Sequence, residues 1–217
     1  MSTKKTTSDY ETLLSSSASS GVILAATGVF TTLDETSGLS NATATPSTSS
    51  DADDNDILIT SLPTTFSSLL GAFGTPIGAS LSGYTGAPGD TGSDAFSLTA
   101  GSGGTITDIA FTDSSGAALN GLDSGMDTLD GTNILLYTAA GNNNLLLGRA
   151  GGANGDVVFA FYIQETATGG KIWSVLYEPI KHPNTSDPDD ALDLTGLVYI
   201  SVNQDLPFSL ENAPSGQ

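Results

Sequence analysis

Two alternating apolar segments, Phe159-Ala-Phe-Tyr-Ile163 and Ile172-Trp-Ser-Val-Leu-Tyr177, flank Thr168-Gly-Gly170. Phe159, Phe161 and Ile163 alternate with smaller or polar neighbours, and Ile172, Ser174 and Leu176 alternate with Trp173, Val175 and Tyr177. A period of two puts one set of side chains on each face of a strand, so this stretch predicts an antiparallel hairpin with the glycines at its turn.

Similar short segments recur along the chain. Gly21 to Ala26, Gly28 to Leu33, Ile57 to Leu62, Ala79 to Tyr84, Ala95 to Ala100, Thr105 to Phe111, Asn133 to Thr138, Asn144 to Gly148, Asp156 to Gln164, Lys171 to Tyr177 and Leu197 to Asn203 all read as strands. Gly86-Ala-Pro-Gly89, Gly101-Ser-Gly-Gly104, Asp130-Gly131 and Gly141-Asn142 mark reversals between them. Pro63 to Phe73 is the one helical pattern, with Pro at an early position and Phe66, Leu69, Leu70 and Phe73 at three- and four-residue spacing. The expected fold is all-β: an antiparallel β-sandwich or partly closed barrel of many short strands and long loops, with at most one short helix. Residues 1–20 are Ser/Thr-rich and weakly patterned, which reads as a polar N-terminal arm, and residues 21–217 read as a single β-domain. The sequence shows no internal repeat.

Charge narrows the function classes. The chain holds 24 acids against five bases, for a net charge of −19. Lys4, Lys5, Arg149, Lys171 and Lys181 cannot build the cationic groove that phosphate backbones need, so nucleic acid is not an expected partner. At this charge the compact state repels itself, and divalent cations or salt would steady it. There is no cysteine, hence no disulfide and no thiolate metal site. The apolar run Gly21 to Ala26 falls short of the roughly 20 residues of a membrane span, so membrane insertion is not expected, and no N-terminal signal peptide is recognised.

Two acidic segments are candidate calcium sites. Asp51, Asp53 and Asn55 stand at alternate positions, followed by Asp56, and hard oxygen ligands suit Ca²⁺. Asp56 and Leu62 occupy positions where an EF-hand loop needs Gly and Glu, so the segment is either a calcium site of another kind or a solvated loop. Asp187, Asp189 and Asp190, with Asp193, form a second acidic turn that either joins such a site or opens the next strand. Calcium is thus the one cofactor the sequence suggests.

Other constellations weigh less. His182, the only histidine, precedes Pro183 in a turn, and no Gly-x-Ser-x-Gly elbow accompanies it. Glu165 and Glu178 form a carboxylate pair of the type used in glycoside hydrolysis, with solvated hairpin acids as the plain alternative. Trp173, Tyr177, Tyr162 and Tyr199 read either as a sugar-binding platform or as core and hairpin packing. On balance the chain is not expected to be an enzyme.

The order of motifs resembles a known family. Trp173 to Tyr177, the Glu178 to Pro183 turn with Asp187, Asp189 and Asp190, and Leu194 to Val202 resemble the closing part of the uncharacterised repeat domain of very large RTX-type, type I secreted bacterial surface proteins. Leu33-Asp-Glu-Thr36 with Gly38-Leu39, then Asp51 to Asp56, Asn133 to Tyr137 and Val157 to Phe159, resemble its earlier elements, so the likeness spans roughly Leu33 to Val202. It implies a spacer or adhesive role. The expected function is therefore a structural subunit of an exterior assembly, such as a cell-surface filament, sheath or layer or a virion exterior. Its partners are other copies or other structural proteins, engaged through the arm. The alternatives are a stand-alone calcium-stabilised adhesin-type module and a carbohydrate-binding domain.

Overall fold

A computed structural model describes residues 22–29, 31, 57–85, 89–101, 103–181 and 194–205. The chain is mostly β: an antiparallel half-barrel sheet, a two-stranded sheet and one short helix. Among the described residues ten strands run in order: β1 (Ile23–Ala26), β2 (Gly78–Leu81), β3 (Phe96–Thr99), β4 (Thr105–Thr112), β5 (Asn120–Asp127), β6 (Asn133–Ala139), β7 (Asn142–Ala150), β8 (Val157–Glu165), β9 (Gly169–Leu176) and β10 (Tyr199–Asp205). The large sheet has the order β1-β3-β9-β8-β7-β6-β5, and β4 pairs with β10.

β2 and β3 share one edge of β9. Ser80 lies opposite Ser174, while Phe96 lies opposite Gly170. The intervening loop is tied at its base by Ser82, whose Oγ donates to Ser93 O at 2.6 Å and accepts from Ile172 N at 3.1 Å.

The alternation read in β8 and β9 is realised as two cores sharing one wall. Phe159, Phe161, Ile163 and Leu176 pack with Ile109, Phe111 and Val202 of the β4–β10 ribbon. Val157, Ala160, Tyr162, Val175 and Tyr177 pack on the other side with Phe66 and Leu70 of helix α1 (Thr64–Leu70). Val158 and Phe159 are adjacent yet face the same core. The cause is a bulge: the β7–β8 register shifts between Gly148, opposite Phe159, and Arg149, opposite Val157.

Helix α1 follows from its apolar spacing, with Pro63 at the N-cap and no side chain capping the first turn; its first bond is Ser67 N donating to Pro63 O. It is shorter than the sequence pattern, ending at Gly71. Phe66 is wholly buried and stacks on Tyr162, with ring centroids 5.0 Å apart and planes 9° from parallel.

Four elements differ from expectation. Ile57 to Leu62 is not a strand. Only Ile57 N reaches β2, donating to Ala79 O, and Ile59–Ser61 then tightens into a 3-10 turn that sends both Ile57 and Leu62 into the core. Gly169 and Gly170 lie within β9 and not at its turn. A Cβ on Gly170 would come within 2.3 Å of the Phe96 ring, and one on Gly169 within 1.9 Å of Phe96 O, so these glycines let β3 approach β9. The reversal uses residues 166–168, with Thr166 N donating to Gly169 O. β5 has no counterpart among the expected strands. Gly28 and Val29 lie outside any strand, and the rest of the expected Gly28 to Leu33 strand, apart from Thr31, falls outside the described residues.

Candidate functional site

The described acids are used mainly to hold turns. Asp90 Oδ2 accepts hydrogen bonds from Thr85 N at 2.7 Å and Thr85 Oγ1 at 2.6 Å, and its Oδ1 accepts from Gly92 N at 2.8 Å. Asp113 Oδ1 accepts from Ser115 Oγ, Ser115 N and Ala117 N at 2.7, 2.8 and 3.0 Å. Asp130 Oδ1 takes the Thr128 hydroxyl at 2.5 Å and Thr132 N at 3.0 Å, closing the β5–β6 turn that Asp130-Gly131 marked in the sequence. Asp123 Oδ1 accepts Gly125 N at 2.8 Å. These are Asx turns, in which a carboxylate does the work of a backbone carbonyl.

Electrostatics follows from that geometry. The side-chain bonds from Thr85, Ser115 and Thr128, reinforced by backbone N–H groups, hold the Asp90, Asp113 and Asp130 carboxyls below the usual carboxylate range. Asp94 joins separate elements: its Oδ2 accepts from Thr166 Oγ1 at 2.9 Å and Thr168 Oγ1 at 3.1 Å, while its carbonyl accepts from Thr27 Oγ1 at 2.7 Å. It thereby ties the β8–β9 turn to the end of β1.

Of the candidate calcium ligands, Asp51, Asp53, Asn55 and Asp56 lie outside the described residues, as do Asp187, Asp189, Asp190, Asp193 and His182. Among the described residues no three of His, Cys, Asp and Glu gather as a metal site. Nor is any described helix long and apolar enough to cross a membrane.

The carboxylate pair does not come together. Glu165 faces Gly170 at one end of the β8–β9 ladder, whereas Glu178 N donates to Val158 O at the other. Seven residues at about 3.3 Å each put the two some 23 Å apart, far beyond the roughly 5–9.5 Å of glycosidase pairs. The aromatic set is divided too. Tyr162 and Tyr177 are buried, and Trp173 is half-buried against the same core with its Nε1 donating to Gln164 Oε1 at 2.7 Å. Tyr199 stands in the separate β4–β10 ribbon.

Three features were missed by sequence reasoning. The Tyr177 hydroxyl is buried without a hydrogen-bond partner, beneath the edge of Phe73 at 6.3 Å between centroids, and burial pushes its pKa up. Arg149 lies with its guanidinium 5.7 Å from the centre of the Phe73 ring while its Nη1 donates to Gly155 O at 2.9 Å. Asp108 Oδ2 accepts long 3.4 Å bonds from Asn143 and Asn203, making an exposed polar seam between ribbon and sheet. No local sequence pattern announces any of these, because each joins residues from distant segments.

A family model described as "Domain of unknown function (DUF5801)" matches residues 30–205. No curated protein and no solved structure matches the chain.

Proposed function

The chain belongs to the DUF5801 family of domains of unknown function, and we propose that it is a non-enzymatic structural subunit of an exterior assembly. A cell-surface filament, sheath or layer, or the outside of a virion, fits this reading, with residues 1–20 engaging neighbouring subunits. The observation that carries it is the use of polar side chains: Asp90, Asp113, Asp123 and Asp130 are all acceptors for turn hydrogen bonds. Turns fixed by their own carboxylates, around a wall packed on both faces, suit a rigid block exposed to solvent. A net charge of −19 keeps such a block soluble and favours saline surroundings. The resemblance of Leu33 to Val202 to repeat domains of large RTX-type secreted surface proteins supports the exterior setting, over nearly the same residues as the family match.

Native mass measurement and negative-stain imaging of the full-length protein test this reading. The expected result is a defined assembly that is lost on deleting residues 1–20, with the far-ultraviolet circular dichroism of a β-protein retained. A uniform monomer at all concentrations would overturn it.

A further inference from the structure

The outer edge of β1 differs from those of β5 and β10. β1 pairs with β3 in unbroken register, from Ile23 opposite Thr99 to Ala26 opposite Phe96. The next residue, Thr27, donates its N–H to Ala95 O at 3.1 Å. Hydrogen-bonding direction alternates along an antiparallel strand, so Ile23 and Ala25 share Thr27's orientation towards β3. The N–H and C=O groups of Val22, Leu24 and Ala26 then point away from the sheet. Among the described residues no strand pairs there. Val22 and Leu24 turn their side chains to the core, while Ile23, 64% exposed, turns outward.

β5 and β10 are guarded. The β5–β6 register shifts twice, Gly121 and Gly125 adopt φ of 83° and 75°, and the strand carries Asp123 and Asp127. Its far end is capped by Lys181 N, which donates to Asp127 O. The β10–β4 register shifts between Asn203 and Gln204, where Thr107 of β4 is the extra residue, and β10 ends on Asp205. Bulges and charges are how sheets prevent edge pairing, and β1 has neither.

We propose that the β1 edge pairs antiparallel with the β1 edge of a second copy of this chain, joining two large sheets across a twofold axis. The proposal rests on the assembly reading above and names a contact for it. Register admits a second copy as the occupant. With Leu24 opposite its own symmetry mate, Val22 falls opposite Ala26, so the outward-pointing backbone groups of both copies meet in full. Ile23 then faces Ala25 on the outer surface, covering the exposed side chain. Charge favours it: two bodies of −19 repel, yet Gly21 to Leu33 contains no charged residue, so the copies meet where repulsion is least. So short an edge makes a weak contact, below the ~1,200 Å² of stable interfaces, which suits an array reinforced by other contacts.

Sedimentation velocity over a concentration series, with amide hydrogen exchange read by NMR, tests this on the full-length protein. Protection of the Leu24 and Ala26 amides should rise with concentration, while the Ile23 and Ala25 amides stay protected throughout. Ile23→Glu adds a like charge on each side of the seam at an exposed position and should raise the dissociation constant about tenfold or more, with Ile23→Val as the control. Ala26→Pro, which removes one outward N–H and no bond to β3, should act in the same direction. If the protein assembles but Ile23→Glu assembles equally well and the Leu24 and Ala26 amides stay unprotected, the edge contact is wrong while the assembly reading survives. Protection of those amides in dilute monomer would also overturn it, because the chain's own residues would then cover the edge. A monomer at every concentration overturns both.

Discussion

Ser80 and Ser174 offer a sharp test of how β2 is held to β9. Both are fully buried, they lie opposite each other in register, and their Oγ atoms are 2.5 Å apart. Replacing either by Ala leaves the other hydroxyl without its buried partner, which costs about 1–3 kcal/mol. Replacing both removes donor and acceptor together, so the double variant should lose under about 1 kcal/mol despite carrying both changes. The expected coupling is therefore at least about 1 kcal/mol and of a sign that makes the double variant more stable than the sum of the singles. Urea unfolding followed by fluorescence of Trp173, the only tryptophan, which sits half-buried in the adjacent β9 position, gives the readout. With a slope of about 2–3 kcal/mol per molar, each single change should shift the midpoint by roughly half a molar or more, and the double change by less. If the two single effects simply add, the hydrogen bond is not what stabilises this part of the sheet.

Other consequences can be checked on the same protein. Phe66→Ala empties the seat of helix α1 over Tyr162 and should cost about 3–5 kcal/mol in unfolding free energy; a loss under about 1 kcal/mol would mean the helix is not anchored there. Tyr177→Phe removes an unpartnered buried hydroxyl and should raise stability by about 1 kcal/mol, so a lower melting temperature would show that the hydroxyl has a partner. Asp90, Asp113 and Asp130 have folded pKa values below their unfolded values, so folded protein binds fewer protons. Their contribution is complete above the unfolded carboxylate pKa of about 3.9 and is lost as pH falls through the lower folded values. Urea midpoints should fall below about pH 4, and less steeply in an Asp113→Asn/Asp130→Asn variant. Calcium held by the Asp51–Asp56 or Asp187–Asp190 segments should raise the melting temperature and chelation should lower it, whereas an unchanged value would leave them as solvated turns.

The central strands were readable because their side chains alternate in polarity and size, and the resulting faces became the two cores. β5 was not, because Gly121, Asp123 and Gly125 break the alternation at the bulges of a guarded edge. The Thr168-Gly-Gly170 segment misled for a related reason. Glycine marks close approach as readily as a reversal, and here Phe96 decides which, from a segment more than 70 residues away in sequence. The short 57–62 segment failed because strand and 3-10 patterns differ little over six residues, and the contact with Ala79 O holds only its first residue. Among candidate site residues, Asp130-Gly131 was legible as a turn, yet its carboxylate's role depended on Thr128 and Thr132 placing their donors around it. The separation of Glu165 from Glu178 was illegible, since spacing in sequence does not say which end of a ladder each acid occupies.

The shared wall also governs which inherited changes this fold can absorb. Beyond the bulge, successive β8 residues from Phe159 onward serve opposite compartments, with Ala160 on the helix side between Phe159 and Phe161 on the ribbon side. Exchanging one apolar side chain for another there disturbs one compartment. Losing or gaining a single codon transposes every residue beyond it, driving Phe161 under the helix and Tyr162 towards the ribbon, so both interiors fail together. Drift in length across the family should accordingly be confined to reversals such as residues 151–156, leaving the number of residues in β8 fixed while their identities vary.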